Sequence, residues 1–393
     1  MKVEIIPRMM DVPAADWDRL TPADDPFSEH AFLLALERSE SVCAESGWTP
    51  CHVLVEDAGA LVAAMPLYIK DNSYGEYIFD WGWAQAAARA RIPYYPKLVS
   101  AIPFTPVAGG RLLLGGPPTP DDPRIAALLA GANAVARGVR SSGLHVLFCG
   151  PAEQRALVAA GATARLTYQF HWENNNYTSF EHWLSGFRHK ERKQAKRERQ
   201  LPEGVTVREA LGPELRDAEI AAIHGFYQDT VDRKGGYDYL RPAFFFDELR
   251  VPDLARRVRC FIAERQGEIV SASLCFQKGG GLYGRYWGCK PGFHGLHFEL
   301  CYHAPIARCI TQGWTRFEAG AQGHHKLKRG LMPSPTYSAH WLAHPGLSRA
   351  VAEAVAEEEV STRQHMAALA HHGPFRREEP AGPPPEGPEE AAG

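Results

Sequence analysis

The sequence repeats itself at a distance of about two hundred positions, and this limits the folds open to the chain more than any other feature. Shifted by 208 residues without a gap, Glu56 falls on Glu264, Gly59 on Gly267, Val62 on Val270, Ala64 on Ala272 and Lys70 on Lys278. Shifted by 206, Gly75 falls on Gly281, Tyr77 on Tyr283, Trp81 on Trp287 and Gly82 on Gly288. The shift changes by two where a turn separates predicted strands, as a loop deletion requires. In each copy two apolar runs flank a tight turn. His52 to Glu56 and Leu61 to Lys70 surround Asp57-Ala58-Gly59; Arg259 to Glu264 and Glu268 to Gln277 surround Arg265-Gln266-Gly267. These predict β-hairpins, with Tyr77 to Trp83 and Leu282 to Cys289 as third strands. We read a tandem duplication of one α/β unit.

At 393 residues the chain is long for a single core and suits two units. The expected division is 1–172, 173–375 beginning with a basic helix, and a disordered tail, 376–393, too poor in apolar residues to fold. Helices are predicted over Ser179 to Gln200, Glu214 to Asp232, Leu296 to Gln312 with Pro305 as a kink, and Ser348 to His371. Arg316 to Ala321 and Thr336 to Leu342 are predicted strands.

Net charge is −3, so the surface as a whole gives no sign of a DNA partner. No apolar run approaches the ~20 residues of a membrane span. The eight cysteines form no CxxC pair, which argues against structural zinc or a disulfide framework and for reduced thiols in a cytoplasmic protein. No metal site is expected.

Polar density peaks in Phe317-Glu318-Ala319-Gly320-Ala321-Gln322-Gly323-His324-His325-Lys326-Leu327-Lys328-Arg329-Gly330. A carboxylate, imidazoles and cations follow one another between two predicted strands, on a loop whose glycines allow close approach of a ligand. Glu318 begins inside an apolar strand, where it needs a partner. A second dense run is Arg188-His-Lys190-Glu-Arg192-Lys193-Gln-Ala-Lys196-Arg197-Glu-Arg199. On a helix its cations repel one another unless an anion relieves them. It lacks interleaved aromatics, so sequence-specific RNA readout is not expected.

A hairpin, third strand, helix and further strand is the core order of the GNAT acyltransferase unit, and two such units resemble the Fem-type peptidyl and aminoacyl transferases. The closest resemblance is to the bacterial Fem-like GNAT family of peptidoglycan biosynthesis or recognition proteins. It is carried by Ser73-Tyr-Gly-Glu-Tyr-Ile-Phe-Asp80-Trp81, Tyr94-Tyr-Pro-Lys97-Leu, Gln169-Phe-His171-Trp172, Tyr283-Gly-Arg285-Tyr-Trp287-Gly, His297-Phe-Glu299-Leu-Cys-Tyr302 and the Glu318 to Lys326 run. The fold implied is a mixed-sheet α/β tandem GNAT. The activity implied is transfer of an acyl or aminoacyl group to an amine, such as that of a peptidoglycan precursor. Aminoacyl-tRNA and acyl-CoA both stand as donors. Lys290-Pro-Gly292-Phe-His-Gly295 fills the slot of the GNAT pyrophosphate loop without matching its pattern, which disfavours ordinary acetyl-CoA use. An acetyl-CoA-dependent N-acetyltransferase and a non-catalytic module recognising cell-wall precursor or RNA phosphate remain the alternatives.

Within this reading Glu318 and His325 are the candidate bases. Lys190, Arg192, Lys193 and Arg197 are expected to meet phosphates. Asp80, Trp81, Tyr95 and Lys97, with Trp287, Gln322, Lys326 and Arg329, are expected to contact substrate. Arg285 either pairs with Glu299 or Glu318 or binds a substrate carboxylate, and Glu299 either caps its helix or joins the site. One cleft is expected to gather Glu318, Gln322, His325, Lys326, Arg329 and Arg285.

Overall fold

The computed structural model describes residues 1–234, 236–320 and 323–376. Fourteen strands lie among them: β1 (Lys2–Ile6), β2 (Trp48–Pro50), β3 (His52–Asp57), β4 (Ala60–Met65), β5 (Tyr68–Lys70), β6 (Lys97–Ser100), β7 (Gly143–Cys149), β8 (Thr163–Glu173), β9 (Val205–Leu211), β10 (Val258–Arg265), β11 (Glu268–Lys278), β12 (Gly281–Cys289), β13 (Arg316–Glu318) and β14 (Met332–Leu342). Eleven form one sheet in the order β2-β5-β6-β7-β14-β8-β13-β12-β11-β10-β9, and β1-β3-β4 form a second. The result is a mixed α/β architecture built on one large mixed sheet.

The 208-residue repeat survives in the hairpins down to their irregularities. Ala58 and Gln266 both take positive φ, as do Gly59 and Gly267 after them. Register slips between Val55 and Glu56 in one copy and between Ala263 and Glu264 in the other, at equivalent positions. One extra residue at the same place in both arms is a shared bulge. The copies differ at Pro66-Leu67, which break the first copy's arm into β4 and β5, whereas β11 runs unbroken. A proline in mid-strand removes a ladder donor, and the arm passes from one sheet to the other there.

The 206-residue part of the repeat does not survive. Tyr77 lies in a loop at φ +62°, and Trp81 opens a helix, Trp81–Arg89, so neither is equivalent to Tyr283 or Trp287 in β12. The first unit's third strand is β6, which the sequence hides in a proline-rich stretch. Asp80 does not cap the helix it precedes, because its carboxylate is engaged elsewhere.

Two pairs of strands run parallel among those described, β6 with β7 and β12 with β13. Around them the chain exchanges strands. β14, near the end of the described chain, lies between β7 and β8, and β8 lies between β14 and β13. Pro333 and Pro335 fall where β14 pairs only with β8, before β7 joins at Tyr337, so their missing N–H groups face no ladder. The core crosses between the halves as well: Phe27 packs on Phe276 and Tyr283 at 5.3 and 5.4 Å. Residues 1–172 alone lack β14 and leave the facing edges of β7 and β8 unpaired, at about 1–3 kcal/mol for each buried group. The fragment is therefore expected to be unfolded or aggregated by circular dichroism and size exclusion, and to be recovered folded only with 173–376 co-expressed. A folded, monomeric 1–172 would count against this reading of the exchange.

Candidate active site

β12 and β13 pair over only three residues, ending at Tyr283 opposite Glu318, after which β13 stops and β12 runs on to Cys289. Ligands of mixed and parallel sheets bind where neighbouring strands part at their carboxyl ends. Glu318 stands at that point, 2% exposed. Its Oε1 lies 3.2 Å from Arg316 Nε and its Oε2 3.5 Å from His171 Nε2 across the β8–β13 ladder. Neither oxygen accepts a hydrogen bond among the described residues. Burial pushes its carboxyl up to about 7, against the pull of Arg316. Burial also drives His171 down to about 3, reinforced by Arg316 and Lys326. The contact of His171 with Glu318 is thus between a neutral ring and a half-ionised acid, not a salt bridge. Arg316 is committed elsewhere, its Nη2 donating to the Tyr283 hydroxyl at 2.8 Å.

The loop after β13 folds into a short 3-10 helix, His324–Arg329. Gly323 enters it at φ +120°, where an added Cβ would stand 2.4 Å from the His325 ring, so this position requires glycine. Lys326 is 1% exposed and donates from Nζ to the Gly320 carbonyl. Burial lowers it to about 8, although Cys301 and Glu318 pull the other way. The His325 ring meets the Tyr302 hydroxyl at 2.8 Å and is shifted down by burial and by Arg329. Arg329 lies over Phe298 at 3.4 Å and pairs with Glu198 at 2.5 Å. Gln322 lies outside the described residues.

The expected single cleft is therefore distributed. Glu318, Lys326 and His325 sit on the segment around Gly320 to Arg329, but each side chain has its own partners. Arg285 pairs with neither Glu318 nor Glu299; it donates to the Phe104 carbonyl of the first half, although its charge is felt at Glu318. Glu299 lies in a π-turn, Glu299–His303, that precedes helix Ala304–Gln312. Pro305 falls in that helix's first turn, where no N–H is needed, so the predicted kink is a widened turn instead. Glu299 is held 3.3 Å from Arg199, with burial pushing it up to about 6, beside a cavity of about 410 Å³ lined also by Arg208, Glu209 and Arg308. Trp287 packs edge-on against His297 at 4.7 Å.

The first half holds a separate polar cluster. Lys97 Nζ, fully buried, donates to Glu76 and Ser73 at 2.8 Å each and to Asp80. Tyr94 donates its hydroxyl hydrogen to Asp80 at 2.6 Å, and the Tyr95 hydroxyl meets Ser73 at 2.8 Å. Burial opposes ionisation of Asp80, but Lys97 outweighs it and holds the carboxyl well below the usual range. Burial pushes Glu76 up to about 7 and brings neighbouring Lys70 down to about 7. Outside this cluster Tyr74, Phe79 and Trp81 remain part-exposed and touch one another, with Tyr237 packed on Tyr74 at 4.3 Å. Of the four expected to contact substrate here, Asp80, Tyr95 and Lys97 meet in this cluster, while Trp81 stands outside it among the aromatics. Their partners Ser73 and Glu76 were not singled out in the sequence.

The predicted helix Ser179 to Gln200 is broken into Phe180–Ser185 and His189–Glu198. The second carries the basic run. Lys190, Lys193, Lys196 and Arg197 are exposed and Arg192 half-buried, and none makes an ion pair among the described residues. His171 and Glu198, which touch the candidate bases' surroundings, were not predicted either. No signal set His171 apart: Thr163, Arg165, Thr167, Gln169, His171 and Glu173 are all polar at alternate positions, the pattern of any half-exposed strand.

No helix among the described residues is long and apolar enough to cross a membrane. No curated protein matches the sequence. Among solved structures, FemX is similar at 12% identity and TM-score 0.53, covering 90% of this chain and 100% of its own. The C-terminal domain of a putative lysylphosphatidylglycerol synthetase from Agrobacterium fabrum is similar at 12% identity and TM-score 0.52, over 87% and 96% of the two chains. A conserved Bacteroides thetaiotaomicron protein of unknown function follows at 11% identity and TM-score 0.51, over 86% and 99%. These likenesses support the fold. The FemAB-like profile, described as peptidoglycan biosynthesis/recognition, matches residues 8–377, and the chain belongs to that family.

Proposed function

We propose that the protein transfers an acyl or aminoacyl group from an activated ester or thioester to an amine, with Glu318 taking the amine's proton. The observation that carries this reading is a carboxyl buried where β12 and β13 part, accepting no hydrogen bond among the described residues and poised near 7. A general base works best with its pKa close to the operating pH. The amine nitrogen attacks the donor carbonyl carbon; the C–N bond forms, the C–O or C–S bond breaks, and the leaving group takes up a proton. Lys326 supplies a cation for the developing oxyanion. His325, neutral at neutral pH and held by Tyr302, is the second base.

An aminoacyl-tRNA donor is favoured over acyl-CoA. Five cations without ion pairs among the described residues line the helix His189–Glu198, while Lys290, in the slot of the pyrophosphate loop, is tied to Glu268. The family description points to a peptidoglycan-precursor amine as acceptor, and the synthetase likeness makes an aminolipid route the competing outcome. A cytoplasmic setting belongs to this reading, supported by eight free cysteines. So does a division into units 1–172 and 173–375 with 376–393 as a tail, joined by the exchange of β8 and β14.

Two measurements test it. Incubation with aminoacyl-tRNA, or separately acetyl-CoA, and an amine-bearing peptidoglycan precursor should give a mass-shifted precursor with the first donor. Transfer from acetyl-CoA alone would replace the reading by an N-acetyltransferase. Binding of single-stranded RNA should weaken with salt by about −0.7 in log–log slope per phosphate contact. The slope should flatten in a variant with Lys190, Arg192, Lys193 and Arg197 changed to Ala. A salt-independent affinity would leave that helix as a solvated surface.

A further inference from the structure

The basic helix faces two ways. Lys190, Lys193, Lys196 and Arg197 point to solvent, while the Glu198 side chain turns inward, 6% exposed. Inside, Glu198 accepts from Arg329 Nε at 3.0 Å and Nη2 at 2.5 Å, and from His303 Nε2 at 2.9 Å. Gln194 Nε2 donates to Glu198 at 2.7 Å, and the Gln194 carbonyl oxygen in turn accepts from the exposed Arg197. Beyond Arg329 the chain of contacts continues: its Nη1 donates to the His325 carbonyl at 2.7 Å, and the His325 ring meets Tyr302. An unbroken polar path therefore joins an exposed guanidinium to the loop that carries His325 and Lys326.

We infer that Gln194 and Glu198 are positioning residues that couple docking of a polyanion on the outer face of helix His189–Glu198 to the geometry of the His325–Lys326 loop. The inference rests on the reading that this helix meets phosphate. Arg197 has one guanidinium and two competing acceptors, the neutral Gln194 oxygen and an incoming phosphate. Hydrogen bonds to an ionised acceptor are roughly twice as strong as neutral ones, so phosphate takes Arg197 away. Gln194 then loses the contact that orients its amide toward Glu198. The Glu198–Arg329 fork does not dissolve, because separating a buried pair strands both charges; the displacement passes along it to the loop. Burial opposes ionisation of Glu198, yet His303, Gln194 and Arg329 hold it down to about 2, so the fork persists at every working pH. Linkage makes the effect reciprocal: whatever orders the loop tightens polyanion binding by the same factor, about 5–150-fold in typical couplings.

Hydrogen exchange over residues 323–331, read by mass spectrometry with and without a 12-nucleotide single-stranded RNA, tests this. Saturation of the wild type should change exchange in that segment by about 5-fold or more. Glu198→Gln and Gln194→Leu should bind the RNA with the loop unresponsive. If the RNA binds and the wild-type loop does not respond, the coupling is overturned while the phosphate reading of the helix stands. If the RNA does not bind, that reading falls and the coupling with it. A loop that responds equally in both variants overturns the path through Gln194 and Glu198. Should Glu198→Gln fail to fold, Gln194→Leu, altered near the surface, decides alone.

Discussion

Glu318→Gln is expected to lower transfer turnover by about 10²–10⁴-fold, the range a positioned general base contributes. Glutamine keeps the shape and the buried polar atoms but takes no proton. The pH dependence makes the test specific. In the wild type kcat/KM should rise with pH through about 7, because only the ionised carboxyl accepts the amine's proton. The Glu318→Gln profile should lose that limb. Stability moves in the opposite sense across the same window. The folded-state pKa lies above the unfolded value, so the group's stabilising effect is complete below about 4.5 and is lost as pH rises through about 7. Melting curves should therefore show Glu318→Gln gaining on the wild type between those values, as expected where a site stores unfavourable burial for use in catalysis. A variant that keeps full turnover with an unchanged pH limb would move the base to His325. Unchanged turnover in His325→Gln as well would favour the non-catalytic alternative.

Much of the fold was legible because hairpins obey local rules. The turn Asp57-Ala58-Gly59 and its copy at Arg265-Gln266-Gly267 declare themselves through glycine and flanking apolar runs, and the structure repeats even their bulge. Tyr77 to Trp83 misled because its aromatic and apolar residues read like a strand, whereas its order comes from Asp80 bonding to Ser73, Tyr94 and Lys97. Such tertiary bonds leave no periodic trace. The same holds for β6, four residues long and masked by prolines on both sides. The strand exchange was invisible for another reason: pairing of β14 with both β7 and β8 depends on which edges remain open after the other strands have paired. At the candidate site the dense loop was legible as polar residues in an apolar setting. The partners were less so. Arg329 reads as a free cation until Glu198, 131 residues earlier, is seen to face it.

Lys97→Met is expected to destabilise the protein by about 3–5 kcal/mol, the range for removing one partner of a buried ion pair. Lys97 is fully buried and is the one cation among the described residues that Asp80 and Glu76 both touch. Methionine matches its volume, so packing changes little and the loss comes from stranded polar groups. Asp80 should suffer most, since Lys97 is what overcomes its burial; Glu76, already near 7, can take a proton instead. The signs follow. Asp80, depressed in the folded wild type, keeps its stabilising effect down to about pH 4, whereas in Lys97→Met the stranded carboxyl is relieved by taking up a proton, so the wild-type advantage should shrink between pH 6 and pH 4. Adding Asp80→Asn should recover part of the loss, because the stranded charge is gone. Urea unfolding of the wild type and both variants at pH 6 and pH 4 gives the comparison. The consequence reaches the surface. The loop from Asp71 to Asp80 is fastened through Ser73, Glu76 and Asp80, and it carries Tyr74 and Phe79 beside Trp81. If Lys97 holds that loop, Lys97→Met should also raise the acrylamide quenching of Trp81 below the unfolding transition, read against a Trp81→Phe control. Native-like stability and quenching in Lys97→Met would mean the aromatic face is held by its own ring contacts, with Lys97 free to serve a ligand.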